Sequence, residues 1–487
     1  MSLKQKTVKG IVWIGIQNWG SQMISFAVFS ILARLLGPEA FGLVALSSVF
    51  FAFMQVFIDQ GFGQAIIQRR NLEPGHLDTA FWTNLGMGVV LMGITCACAE
   101  LIAAFFKQPA LTPILRWLSL SFIFGGLESV QLTLLSRELS FKTVAIRSLI
   151  ATIAGGVVGV VMAVQGFGAW SLVGQNIASG VIGIIVLWGS THWRPGFNVS
   201  IRHFKELFAF GINVTGISIL NFLNRRADDF LIGYFLGPVA LGYYTVAYRI
   251  LMITSQLMIG TIQRVSLPVF SQLQDQPDRL RQAFYSAIQI TSLVAFPAFL
   301  GATVLAPELI VVLFGDRWAP SIPVMQVLMP IGLLYAGFYY NGAIIMAVGK
   351  PAWNLGLTGL QALSNIIFFL IAVQWGIVAV AASYVLRGYL MAPITLWVVH
   401  KVMPFNVKDY LRQYAMPLLA SLVMVIVLFG TKALLSGTLD MHILLPGCII
   451  LGAAVYITII LTLAPKLAQR VIDLVRSALP QSMLKKT

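Results

Sequence analysis

The sequence predicts an all-α polytopic membrane protein of about fourteen transmembrane helices. Three observations carry that prediction. The 487-residue chain is 58% hydrophobic and 10% charged, with a mean hydropathy of +0.87, a balance foreign to water-soluble domains. Apolar stretches long enough for a bilayer, about 20 residues each, recur from end to end. Lysine and arginine fall unevenly on alternate sides of the helices those stretches define.

The expected helices run over residues 11–36, 40–58, 80–106, 113–136, 143–164, 168–189, 209–230, 239–263, 284–305, 322–347, 354–373, 376–399, 414–434 and 443–464. Glycine and proline punctuate the turns, as at Gly37-Pro38, Gly237-Pro238 and Gly349-Lys350-Pro351. The first stretch is too long for a signal-peptide core and holds Gln17, Asn18 and Gln22, so it reads as a retained helix. Cys96, Cys98 and Cys448 lie within expected helices and read as packing residues. Ile201–Phe210 and Lys466–Leu479 mix apolar and basic residues in the manner of helices lying on a membrane surface.

With this map, one side of the membrane carries 23 of the 32 Lys and Arg residues and the other carries five. The positive-inside rule then puts both termini in the cytoplasm. The same asymmetry accounts for the net charge of +15, so no nucleic-acid partner is needed.

The chain also repeats itself. Residues 36–42 read LGPEAFG and residues 236–242 read LGPVALG. Ala80-Phe81-Trp82 is echoed by Ala283-Phe284-Tyr285, and Glu100-Leu101-Ile102 by Glu308-Leu309-Ile310, in the same order. The loop around Gly168 resembles the one around Gly376. Four matches in register predict a duplicated six-helix unit. The expected organisation is an amino-terminal lobe at 1–190, an amphipathic linker at 191–208, a carboxyl-terminal lobe at 209–400, two extra helices at 401–465 and an amphipathic tail at 466–487. Parallel repeats of this kind suit alternating-access transporters, with two pseudo-symmetric lobes around a central cavity.

The last four basic residues, Arg225, Arg226, Arg249 and Arg387, sit inside otherwise apolar spans of the second copy. A charge at bilayer depth costs about 2.5–3.5 kcal/mol on insertion scales, so such residues face a polar cavity or a partner. Ser218, Asn221, Asn224, Arg225 and Asp228 share one helix face, with Arg226 and Asp229 beside it. Arg225 and Arg226 both stand at ion-pairing distance from Asp229 along a helix. Arg249, Gln256 and Gln263 recur at intervals of seven, behind Tyr243, Tyr244 and Tyr248. Elsewhere the expected helices offer Asn18, Gln22 and Ser25; Ser48, Gln55 and Asp59; Glu128 and Gln131; Tyr335, Tyr339 and Asn341; and Tyr384 with Arg387. Amides and tyrosines suit sugar hydroxyls, while the arginine fork suits a phosphate or carboxylate. The competing reading makes the amides helix-to-helix glue and sets Arg225 and Arg226 to neutralise Asp228 and Asp229.

Several functions are excluded. No Gly-rich phosphate loop precedes a Lys-Ser/Thr, so the chain does not itself hydrolyse ATP. External loops are too short to house an acidic or metal-bearing catalytic site, so the protein is not expected to be an enzyme. His76, His192, His203, His400 and His442 show no metal-ligand spacing, and no metal or cofactor is expected.

The stretch NFLNRRADDFLIGYFLGPVALGYYTVAYR at 221–249, with ARLLGPEAFGLVAL at 33–46 and DQGFGQAIIQR at 59–69, resembles the polysaccharide-exporter branch of the MOP flippase superfamily. That branch includes Wzx-type O-antigen flippases, and the similarity is greatest to colanic-acid and teichuronic-acid exporters. The resemblance implies export of an undecaprenyl-diphosphate-linked oligosaccharide from the inner to the outer leaflet of a bacterial plasma membrane. It implies a cationic central cavity using Arg225 or Arg226, Arg249 and Arg387, with Arg34 near its outer mouth; the polar stripes read from the sequence add Asn221, Gln256, Tyr339, Asn18, Gln22 and Gln55 as expected lining. A polysaccharide polymerase and a chain-length regulator are implied partners. Asp59, Glu128, Asp228 and Asp229 are candidates for coupling to H+ or Na+. The pattern departs from the family where Arg225 and Arg226 stand together in place of a single polar or cationic residue, leaving open which faces the cavity. A lipid II flippase, a cation-coupled multidrug exporter of the same superfamily and a non-transporting scaffold are the alternatives. The multidrug reading would call for acidic cavity groups, where this chain has arginines.

Overall fold

A computed structural model describes residues 3–59, 61–69, 71–435, 439–467 and 469; side chains at 3–18, 59, 207, 209–215, 217 and 260–265 lie outside that description. The described residues form helices and no strand. In order they are α1 (Leu3–Leu35), α2 (Pro38–Asp59), α3 (Phe62–Gln68), α4 (Pro74–Phe105), α5 (Leu111–Leu118), α6 (Leu120–Arg137), α7 (Phe141–Val164), α8 (Trp170–Ser190), α9 (Ile201–Phe235), α10 (Gly237–Met258), α11 (Gly260–Gln272), α12 (Pro277–Val304), α13 (Ala306–Phe314), α14 (Ser321–Leu328), α15 (Ile331–Ala347), α16 (Pro351–Ala372), α17 (Ile377–Val402), α18 (Val407–Leu435) and α19 (Met441–Leu463).

Each of the fourteen expected segments falls on helix; among the described residues, length and hydropathy qualify ten as spans, or eleven if α14 and α15 are one span bent by 45°. The count of fourteen is not confirmed by these residues. Pro330, between α14 and α15, lacks the N–H that would continue the ladder. The helices α1, α9 and α10 are outside the qualifying set. Two of these carry the charges singled out above: Arg225, Arg226, Asp228 and Asp229 on α9, and Arg249 on α10.

Three boundaries differ from expectation. The surface linker and the span after it are one unbroken helix, α9, because nothing between Ile201 and Phe235 breaks an α-helical run. The span expected to reach residue 263 stops at Met258, and α11 starts at Gly260. The amphipathic tail falls almost wholly outside the described residues. The order of elements repeats: two long helices, a short one, a long one, a broken span and two more long helices run from α1 to α8 and again from α9 to α17, with α13 as an insertion.

By internal contacts the chain forms two compact units, Met1–Thr245 with Ala362–Ile377, and Val246–Gln361 with Val378–Thr487. These boundaries do not follow the repeat. In the first unit α7 packs between α1 and α8, α4 against α6, and α2 against α9. Small residues let helices approach: a Cβ added at Gly155 of α7 would lie 2.7 Å from the Gln175 carbonyl of α8. The two matched corners also touch. A Cβ at Gly42 would lie 1.7 Å from the Pro238 carbonyl oxygen, and one at Gly242 2.0 Å from that of Pro38. In the second unit α12 packs on α15 and α18, and α18 on α19. Two apolar clusters hold it, one around Phe284, Tyr340 and Tyr410, the other around Met424, Leu428 and Cys448.

Candidate functional site

In the first unit the polar face of α9 resolves into a chain of bonds. The Tyr244 hydroxyl donates to Asp228 Oδ2 at 2.8 Å, and the Asp229 amide donates to Asp228 Oδ1 at 3.0 Å. Arg226 Nη1 donates to Asp229 Oδ2 at 2.9 Å. Both carboxylates are buried, Asp228 to 3% exposure and Asp229 to 8%, which requires such partners. Arg225 is exposed and forms no ion pair among the described residues. Of the two adjacent arginines, Arg226 therefore serves its own helix and Arg225 does not.

Arg226 also edges an apolar cavity of about 620 Å³ whose walls include Phe50, Phe53, Phe105, Phe106, Phe222 and Phe230. Asn221 is exposed. Asn224 is bound by Asn365 of α16, whose Nδ2 donates to the Asn224 carbonyl at 3.2 Å and to its side chain. Glu128 of α6 is ion-paired with Arg147 of α7, and Arg147 Nε donates to the Gly183 carbonyl at 3.2 Å. Gln22 is half-buried on α1 and Gln55 exposed on α2. The side chains of Asn18 and Asp59 lie outside the described residues.

In the second unit, tyrosines from three helices gather around one arginine. Arg387 of α17 is 8% exposed, and its guanidinium carbon sits 5.5 Å from the Tyr384 ring centroid. Stacking of this kind is worth about 0.5–2 kcal/mol, more when desolvated. The hydroxyls of Tyr384 and Tyr335 are 2.5 Å apart. The Tyr339 ring lies 5.0 Å from that of Tyr335, and the Tyr248 ring of α10 6.5 Å from that of Tyr384. Arg249, next to Tyr248, is half-buried, and Gln256 is exposed two turns further along α10. The cluster offers a buried cation, hydroxyl donors and flat rings, a set able to hold an anion beside sugar hydroxyls.

Some of this was missed in the sequence. Asn365 lies in the largely apolar α16, and its partner is 141 positions away. Lys432 of α18 is ion-paired with Glu308 of α13 at 2.8 Å, with side chains 17% and 5% exposed. His76 and His203, far apart in sequence, are brought together with Glu73. Beside them His76, Arg202 and Arg69 all hydrogen-bond Glu206 and hold its carboxyl down at about 2.

Residues 31–323 match the polysaccharide biosynthesis protein family. The chain belongs to that family. Within it, the chain is 27% identical to the lipopolysaccharide biosynthesis protein WzxC of Escherichia coli over 90% of each chain. It is also 27% identical to the succinoglycan biosynthesis transport protein ExoT of Rhizobium meliloti, over 99% of this chain and 98% of that one. It is 25% identical to the teichuronic acid biosynthesis protein TuaB of Bacillus subtilis, over 88% and 90%. Its fold is similar to the lipid II flippase MurJ in an inward closed conformation, with TM-score 0.78 at 16% identity over 94% of this chain and all of that one. An inward-facing multidrug resistance MATE family transporter of the MOP superfamily gives 0.62 at 17% identity, over 78% and 94%. This family member is thus a multi-pass membrane protein with the MOP fold.

Proposed function

We propose that this protein is a flippase that moves a polyprenyl-diphosphate-linked oligosaccharide, the repeat unit of an exopolysaccharide or O-antigen, from the inner to the outer leaflet of the bacterial inner membrane. The observation that carries this reading is the buried Arg387 against the Tyr248, Tyr335, Tyr339 and Tyr384 cluster. A cation kept in a helix of this hydropathy, its guanidinium stacked on Tyr384 and tyrosine hydroxyls close by, is suited to an anionic cargo. Names borne by relatives, such as the probable low-salt glycan biosynthesis flippase Agl15 of Haloferax volcanii, support the same class of cargo.

In this reading Arg387 and Arg249 take the diphosphate, and the tyrosines with Gln256 face the glycan. Both termini are cytoplasmic, transport is by alternating access, and no covalent chemistry is performed. Membrane lipids surround the chain, and a polymerase and chain-length regulator consume its product. Coupling to H+ or Na+ would fall to Asp228 or Asp229, the two buried carboxylates on α9. Glu128, tied to Arg147, is less suited to it. Lipid II is the second cargo to weigh, because the MurJ fold spans nearly the whole chain.

The test is Arg249→Ala in cells that depend on this protein for surface glycan. Export is expected to be lost while the variant accumulates in the membrane at wild-type level. Wild-type export by the variant would sink the assignment, and rescue of a lipid II flippase deletion would move it to the second cargo.

A further inference from the structure

Two of the five histidines meet. His76 lies in the first turn of α4 and His203 in the first turn of α9, with ring centroids 4.1 Å apart. Glu73 caps α4 beside them. One ligand-capable atom from each of Glu73, His76 and His203 lies within 4.8 Å of the other two. We propose that these three residues form a binding site for a divalent transition-metal ion of the zinc type, where α4 and α9 begin.

The donor set is two imidazole nitrogens and a carboxylate, the borderline mixture that zinc favours. One edge of the polyhedron already has the right length. Glu73 Oε2 and His203 Nε2 are 3.3 Å apart. Ligands at about 2.0–2.1 Å from a tetrahedral zinc stand about 3.3–3.4 Å from each other. His76 closes the site by turning Nδ1 away from the Glu73 amide, which it now accepts at 3.2 Å.

The surroundings suit that turn. His76 Nε2 is 3.2 Å from Glu206 Oε2, so a carboxylate stands behind the imidazole to fix its tautomer. Glu206 is in turn held by Arg69 and by Arg202 Nε at 3.0 Å. His203 Nδ1 is buried with no hydrogen-bond partner. The ring of His203 occupies its place only because residue 75 is glycine: a Cβ there would lie 2.6 Å from His203 Cε1. The side chain of His76 is 1% exposed, that of His203 13% and that of Glu73 59%. The buried imidazoles thus form the floor, and the carboxylate side stays open to an arriving ion and to a water as fourth ligand. Bound metal would tie the segment before α4 to the first turn of α9.

The full-length chain, purified on a tag without histidine and stripped with chelator, is titrated with Zn2+ alone. Retained metal is counted by mass spectrometry after desalting, and Co2+ is substituted to read coordination from its visible bands. One zinc per chain is expected. Glu73→Gln and His203→Gln should each weaken binding at least about tenfold and remove the cobalt bands. His192→Gln and His400→Gln should bind as wild type. Glu73 is exposed, so a Glu73→Gln protein that elutes as wild type separates a lost site from a lost fold. Absence of stoichiometric zinc in the wild type, or equal retention by Glu73→Gln and His203→Gln, overturns the proposal.

Discussion

Arg387→Ala removes the guanidinium from the Tyr384 ring and leaves the tyrosine cluster in place. If Arg387 grips a diphosphate, the variant loses at least one hydrogen bond to a charged group, worth about 1.5–3 kcal/mol. At about 1.4 kcal/mol per tenfold, cargo affinity should fall roughly 10-fold to 150-fold. Arg387→Lys keeps the charge but not the planar fork, so it should fall between the two. Tyr384→Phe is the internal control. It removes the hydroxyl that meets Tyr335 and keeps the ring beneath Arg387, so its loss should stay near the 0.5–1.5 kcal/mol (about) of a neutral hydrogen bond. The assay is equilibrium binding of a polyprenyl-diphosphate oligosaccharide to protein in nanodiscs, paired with export in cells. Binding by Arg387→Ala within about twofold of wild type, with export intact, would refute the reasoning, since a twofold change is only about 0.4 kcal/mol.

Three further outcomes are expected. Arg226→Ala leaves the buried Asp229 carboxylate without its charged donor and, because the arginine end is 41% exposed, should cost about 1–3 kcal/mol of stability, read as a lower melting temperature, whereas Arg225→Ala should melt as wild type and lose export. Lys432→Met or Glu308→Leu alone should destabilise by about 3–5 kcal/mol, and the two together by less than either, in a double-mutant cycle followed by thermal denaturation. Gly42→Val and Gly242→Val should each cost about 1–3 kcal/mol or more, because the new side chain meets backbone of the matching corner, whereas Gly37→Ala, with nothing within 4 Å of the added Cβ, should be neutral in the same melting assay.

Much of the fold was legible because bilayer thickness is a length, and length is written directly in apolar runs. Every expected span lands on helix for that reason. What was not legible was continuity. Residues 201–210 look like a surface helix by composition, and they are helical, but they run straight on into the next span. Hydropathy reports where a helix changes solvent, not where its hydrogen-bond ladder stops. The bend at Pro330 shows the converse, a break inside one continuous apolar segment.

The site shows where sequence separation limits inference. Spacing along one helix correctly offered Arg226 to Asp229, because three residues is a contact distance on any helix. It offered Arg225 to Asp229 equally, and it could not weigh them, because the choice depends on which face meets α2, α4 and α16. Partners on other helices had no local signature: Arg147 for Glu128, Lys432 for Glu308, Asn365 for Asn224, Glu206 for His76. Three of those four lie inside apolar helices, where an unpaired polar group is costly and some partner was therefore predictable, though not which. The consequence for function is a division of the four intramembrane arginines. Arg226 is bound to the buried Asp229. Arg225 is exposed, Arg249 is half-buried beside Tyr248, and Arg387 stacks on Tyr384, a contact that orients its guanidinium. An oriented guanidinium fork suits an anionic cargo, so Arg387, Arg249 and Arg225, rather than Arg226, are the residues whose loss should track with transport.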